Sequence, residues 1–189
     1  NYALFNCAIV FMQLIEYFLW KNQKCNFNNK LASYFIIILL YFQMFSQYLL
    51  YLYNNKLTPF ANKETKKKTL EVIAFTIITI YILVILQGNF NDICSLKDTG
   101  SCRLIWEPFV YLMKNNLLAF IIFIALYFRI PWNINYFNLP FLRIQIFLIV
   151  FILAMIYAFI YKSTNPLAIF GGVWCILCVL YGPVSILNI

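Results

Sequence analysis

The chain is 189 residues long, 64% hydrophobic and only 11% charged, with 20% aromatic residues and a formal net charge of +8. A soluble domain of this size cannot bury so much apolar surface, because ordinary domains are about half apolar and a quarter charged. Histidine is absent, which removes Ser-His-Asp and Cys-His catalysis, histidine-ligated zinc or haem, and histidine pH sensing.

The basic residues fall between hydrophobic runs. That placement fits membrane orientation and lipid headgroups, and nucleic acid is not an expected partner. Enrichment in Ile, Phe, Tyr, Asn and Lys matches AT-rich coding and carries no functional weight. The chain opens on Asn1 and is apolar from Tyr2, with no basic region or small-residue cleavage site ahead of that run. A signal peptide is therefore not expected.

A spanning helix needs about 20 mainly apolar residues. Six segments meet that length, at about 2–20, 31–53, 70–87, 108–128, 139–161 and 167–187. The expected fold is all-α: a single transmembrane helical bundle over residues 1–189. Helices are preferred to strands because the bilayer interior offers backbone groups no water, and these runs are too long for barrel strands. The fourth segment is interrupted by Lys114, Asn115 and Asn116. The sixth follows "STNP", a helix-start pattern, and contains Gly171-Gly172 and Gly182-Pro183. The connections are short, and none holds a separate soluble domain.

Lys and Arg counts set orientation. On the side that holds Asn1, side A, lie Lys56, Lys63, Lys66, Lys67, Lys68, Arg129 and Arg143; side B holds Lys21, Lys24, Lys30, Lys97, Arg103 and Lys162. The counts nearly balance, and the density of "KETKKK" points to a cytoplasmic side A. Lys63, Lys66, Lys67 and Lys68 form a basic membrane-surface cluster, read as a topology anchor facing anionic headgroups, each Lys worth about 1 kcal/mol.

Cys94 and Cys102 flank "SLKDTGS" in one side-B connection. If side B is oxidising, a disulfide between them is chemically sensible and stabilises by roughly 2–3 kcal/mol; Cys25, on the same side, is the alternative partner. Cys7, Cys175 and Cys178 fall within spans and read as small apolar groups. "CILC" inside an apolar helix does not read as a redox motif, and no metal site or cofactor is expected.

Polar side chains inside the spans are the informative exceptions. Gln13, Glu16 and Trp20 share one face of the first span, and Gln43 and Gln47 lie four apart in the second. Lys114 and Asn115 lie toward side B in the fourth. An isolated charge at the bilayer centre costs roughly 2.5–3.5 kcal/mol on insertion scales. Glu16 is therefore expected to face the interior and pair with Lys114, or else to be protonated. Gln13, Glu16, Gln43, Gln47, Lys114 and Asn115 either line a polar cavity for a small solute or ion, or bond helices together. Trp20, Trp106 and Trp132 sit at expected interfaces. Trp174 lies deeper, beside Gly171-Gly172, as a packing residue or a pocket aromatic.

The motif order "FMQLIEYFLWKN", "CNFNNKLAS", "CRLIWE" and "FGGVWCI" resembles an uncharacterised family of polytopic membrane proteins encoded by giant DNA viruses, with cellular relatives. The resemblance implies six or seven spans, a further N-terminal span among them, and no assigned activity. It directs attention to Gln13, Glu16, Trp20, Asn28, Trp106, Trp174 and Cys175.

The leading functional expectation is a small-solute or ion-handling protein such as a transporter or channel, centred on Glu16 and Lys114. The alternative is a structural or interaction subunit of a viral or organellar membrane, with an oligomeric or complex partner. A seven-span sensor is a third reading, although no lysine in the last span offers a retinal Schiff base. No catalytic motif supports an enzyme.

Overall fold

Asparagine side chains bracket the helices. The computed structural model describes residues 3–97 and 104–133, together with 152 and 156. Five α-helices occur among them: α1 (Ala3–Lys21), α2 (Phe27–Asn54), α3 (Lys63–Gly88), α4 (Glu107–Asn115) and α5 (Leu117–Asn133), with a 3-10 turn at Phe90–Asp92. The first N–H groups and last carbonyls of a helix have no partner within it. Asn26, Asn62 and Asn116 each accept, through Oδ1, from the backbone N–H three residues on, opening α2, α3 and α5. Asn22, Asn55, Asn89 and Asn115 each donate, through Nδ2, to the carbonyl four residues back, closing α1 to α4. The abundance of Asn, attributed above to coding bias alone, thus has a structural use.

Lys56 closes α2 with a left-handed backbone (φ 52°). Its N–H donates to the Tyr53 carbonyl and that of Leu57 to the Leu52 carbonyl. This is the Schellman pattern, usually built on glycine.

Helices α2 and α3 are long and apolar enough to cross a membrane, whereas Leu117–Ile130 within α5 is a shorter apolar run. Six spans are not what the described residues show. The expected fourth span is divided, because Asn116 leaves helical geometry (φ −152°, ψ 61°) between α4 and α5. Its N–H closes α4 on the Leu112 carbonyl, its Oδ1 opens α5, and its Nδ2 donates to the Tyr81 hydroxyl of α3 at 3.0 Å. The fifth and sixth expected spans lie outside the described residues.

We call end A the end with the α2–α3 connection, and end B the end with the α1–α2 turn and the α3–α4 connection. Helices α2 and α3 run antiparallel in a register marked by three tyrosines. The Tyr34 hydroxyl donates to the Leu83 carbonyl at 3.3 Å, Tyr41 meets Thr76 Oγ1 at 3.1 Å, and Tyr48 meets Thr69 Oγ1 at 2.6 Å. Both rows advance by seven residues, two helical turns, so each rung recurs on the same face. Thr76 spends its proton on the Val72 carbonyl four residues back, so Tyr41 is the donor to it. Thr69 lies against the carbonyls of Thr65 and Pro59, which leaves Tyr48 as donor there too.

Aromatic rings join the layers. A chain of contacts runs from Trp106 through Phe109, Phe123 and Phe75 to Tyr41, with centroid separations from 5.0 to 6.4 Å. It links α4, α5, α3 and α2 through the core. Near end A, Arg129 Nε bonds Glu71 Oε1 at 2.9 Å, fastening α5 to α3.

Tyr48→Phe should lower unfolding stability in detergent by about 1 kcal/mol, the worth of a buried hydrogen bond. Tyr34→Phe should cost less, because its contact is longer and half-exposed. Equal losses in a denaturant titration would contradict this ranking.

Candidate functional site

Along the buried face of α2 lie Gln43, Ser46 and Gln47. Ser46 donates back to the Gln43 carbonyl at 2.8 Å. Gln43, 3% exposed, accepts from the Tyr127 hydroxyl of α5 at 2.8 Å. Gln47 is 2% exposed, and its Oε1 is buried without a hydrogen-bond partner; Gln13 Nε2 on α1 is likewise buried and unpartnered. An unmade bond in an apolar interior costs about 1–3 kcal/mol. Gln43 and Gln47 are what remains of the cluster expected from sequence, and among the described residues Gln13 makes no hydrogen bond to them.

Lys114 and Asn115 do not join it. Both are exposed, because α4 buries Phe109, Val110 and Leu112 and leaves position 114 on the other side. Asn115 is spent on the Tyr111 carbonyl. Glu16 is half-buried on α1. The expected Glu16–Lys114 pair is not formed; the charge of Lys114 acts on Glu107 instead. Burial holds the Glu107 carboxyl above the usual carboxylate range, with Lys114 pulling the other way.

The most connected polar site is at end B. Asn29 is fully buried. Its Nδ2 donates to the carbonyls of Asn22 (2.6 Å) and Ser95 (2.9 Å). Ser33 Oγ donates to the Asn29 carbonyl at 2.8 Å and accepts from the Ser95 N–H at 3.0 Å. Ser95 Oγ then accepts from the Glu107 N–H at the head of α4. Gln23 bridges the Leu19 carbonyl and the Lys97 N–H, each at 2.7 Å. Lys97 pairs as an isolated antiparallel bridge with Leu104. Four segments thereby close on one another: the end of α1, the start of α2, the α3–α4 connection and the start of α4.

A disulfide locks the same place, joining Cys25 to Cys94 with Cα atoms 5.5 Å apart. Of the two partners expected for Cys94, the structure takes Cys25, the alternative, and not Cys102. Asn29 and Ser33 hold the Ser95 backbone against α2, which brings Cys94 to the α1–α2 turn. Cys102 lies outside the described residues. Sequence pattern gave little notice of this clasp: Asn28, singled out above, is exposed, while its neighbour Asn29 carries the contacts. The signal that could have found it is Cys94-Ser95 beside "CNFNNKLAS".

Two further expectations change. Trp106 is 1% exposed with an unpartnered indole N–H, so it is a core residue and not an interfacial one; it anchors the aromatic chain beneath the clasp. Lys68 is buried beside Tyr51, its Nζ 2.6 Å from Glu64 Oε1 and 4.2 Å from the ring centroid. Periodicity separates it from Lys63, Lys66 and Lys67, which are exposed. Trp20 is exposed at the end of α1, with Lys97 over its ring. Trp174, Cys175, Cys178 and Gly171-Gly172 lie outside the described residues. No family model, curated protein or solved structure matches this chain.

Non-reducing peptide mapping should recover a Cys25–Cys94 cross-linked peptide. Cys25→Ser should lower stability by up to about 4 kcal/mol, the chain-entropy value for a loop of 69 residues. Recovery of Cys94 linked to Cys102 would refute the assignment. A second outcome concerns pH. A carboxyl raised on folding favours the folded state most below its unfolded pKa, and that contribution is lost as pH rises through the folded value. Stability should therefore decline as pH rises from about 4 through the raised pKa, and Glu107→Gln should flatten that part of the profile.

Proposed function

We propose that the chain is a multi-pass integral membrane protein acting as a structural or interaction subunit of its membrane, with end A cytoplasmic and end B in an oxidising compartment. One observation carries the structural role: Tyr34, Tyr41, Gln43 and Tyr48, polar side chains along α2, are spent on other helices. Tyr41 and Tyr48 bond threonines of α3, and Gln43 holds Tyr127 of α5. Interhelical bonds of this kind hold membrane bundles together. The orientation follows from Cys25–Cys94 at end B, since disulfides persist in oxidising compartments, and from the lysines at end A. The resemblance to polytopic proteins of giant DNA viruses agrees with a membrane setting.

A second reading, handling of a small solute or ion, draws on Gln47 Oε1 and Gln13 Nε2, buried without partners. A buried carbonyl oxygen in an apolar bundle is an acceptor for water, an ammonium group or a cation. Its centre would be Gln47 Oε1 on α2, with Lys114 and Asn115 exposed outside it.

Liposomes containing the purified protein separate the two. The structural role predicts proton and monovalent-cation flux no greater than in empty vesicles. Flux in the parent protein, abolished in a folded Gln47→Leu variant, would replace the structural reading with the transport one.

A further inference from the structure

The two faces of α3 divide its charges. Thr65, Lys68, Thr69, Val72, Phe75, Thr79, Ile82 and Leu86 are buried. The opposite face begins with exposed Lys63, Lys66 and Lys67, spaced three and four apart, and continues without a break into exposed Leu70, Ile73, Ile77, Ile80 and Val84. A helix that turns this apolar stripe toward lipid necessarily holds those three ammonium groups over the same lipids, at headgroup depth. Exposed Tyr53 and Phe60 stand close to them in the chain, at the end of α2 and in the α2–α3 connection. Aromatic residues with Lys are typical of the membrane interface.

Lys68 is excluded from this set by contacts of its own. Glu64 neutralises it, and its ammonium sits over Tyr51. The exposed carboxylate of Glu64 is spent on that pair. Lys63, Lys66 and Lys67 therefore present an uncompensated positive row.

We propose that Lys63, Lys66 and Lys67 form a docking surface for anionic phospholipid headgroups of the cytoplasmic leaflet, with Tyr53 and Phe60 seated among them. The occupant follows from charge complementarity and from sidedness. The disulfide places end B in the oxidising compartment, so this row faces the leaflet that concentrates anionic lipid. The inference rests on the membrane reading and narrows the four-lysine cluster to three residues with a defined geometry.

The test uses the full chain in nanodiscs of equal phosphatidylcholine and phosphatidylserine, released into native mass spectrometry to compare retained lipids. Phosphatidylserine should be enriched on the parent protein. Each lysine replaced by Gln should reduce enrichment about fivefold, the fold-change equivalent to about 1 kcal/mol. Lys68→Gln should leave enrichment unchanged while lowering thermal stability. Equal retention of both lipids, or enrichment that survives K63Q/K66Q/K67Q, overturns the proposal. Displacement of the lipid by millimolar inorganic phosphate also overturns it, in favour of a soluble-anion site. Resistance of the protein to alkaline carbonate extraction is scored separately. A resistant protein without enrichment sinks this inference alone, whereas an extracted one sinks the membrane reading beneath it.

Discussion

A polar group buried in this bundle is costly unless it finds a partner within the protein. Most do, with Gln13 Nε2, Gln47 Oε1, Thr65 Oγ1 and the Trp106 indole N–H as the exceptions among the described residues. The requirement is most visible at the helix ends. Seven asparagines, each short enough to reach its own backbone, take up N–H groups at helix starts and carbonyls at helix ends. At Asn116 one residue serves both purposes and breaks the expected fourth span in two. The break ends the α4 face early and leaves Lys114 and Asn115 at the surface.

The same demand fixes register. Three tyrosine hydroxyls along α2 need acceptors, and only one antiparallel alignment offers Leu83, Thr76 and Thr69 at matching seven-residue intervals. A shift of one turn would strand at least one hydroxyl. Each bond is worth about 1 kcal/mol or less in a membrane, so the ladder contributes more to specificity than to bulk stability. Apolar packing supplies the remainder, led by the chain of rings from Trp106 to Tyr41.

End B combines a buried amide, two serines and a disulfide. Asn29 and Ser33 bind the backbone of Ser95 directly, and that placement sets Cys94 beside Cys25. End A is fastened by charge instead, through Glu71–Arg129 between α3 and α5 and through Lys68, which pairs with Glu64 of its own helix and lies over Tyr51 of α2. The two ends of the bundle are thus held by unequal chemistry. It also divides the four lysines of the 63–68 stretch, since Lys68 is consumed by the fold and Lys63, Lys66 and Lys67 remain exposed.

Composition and run length by themselves determined that the chain is helical, apolar and built from segments able to cross a bilayer, because hydrophobic length is a local property. Gln43 and Gln47 were legible as buried polar residues for the same reason, and the weakness of the fourth segment at "KNN" marked the break. Partners were legible at most as alternatives, as with Cys25 and Cys102 for Cys94. The choice of Cys25 for Cys94, the burial of Asn29 and not Asn28, and the diversion of Lys68 to Glu64 and Tyr51 each depend on which face a helix turns inward. The tyrosine–threonine rungs were visible as spacing but meaningless until α2 and α3 were laid side by side. Tertiary structure alone decided these, because a hydrogen bond, a disulfide or an ion pair between distant segments is a matter of a few ångströms, and sequence distance carries no such measure.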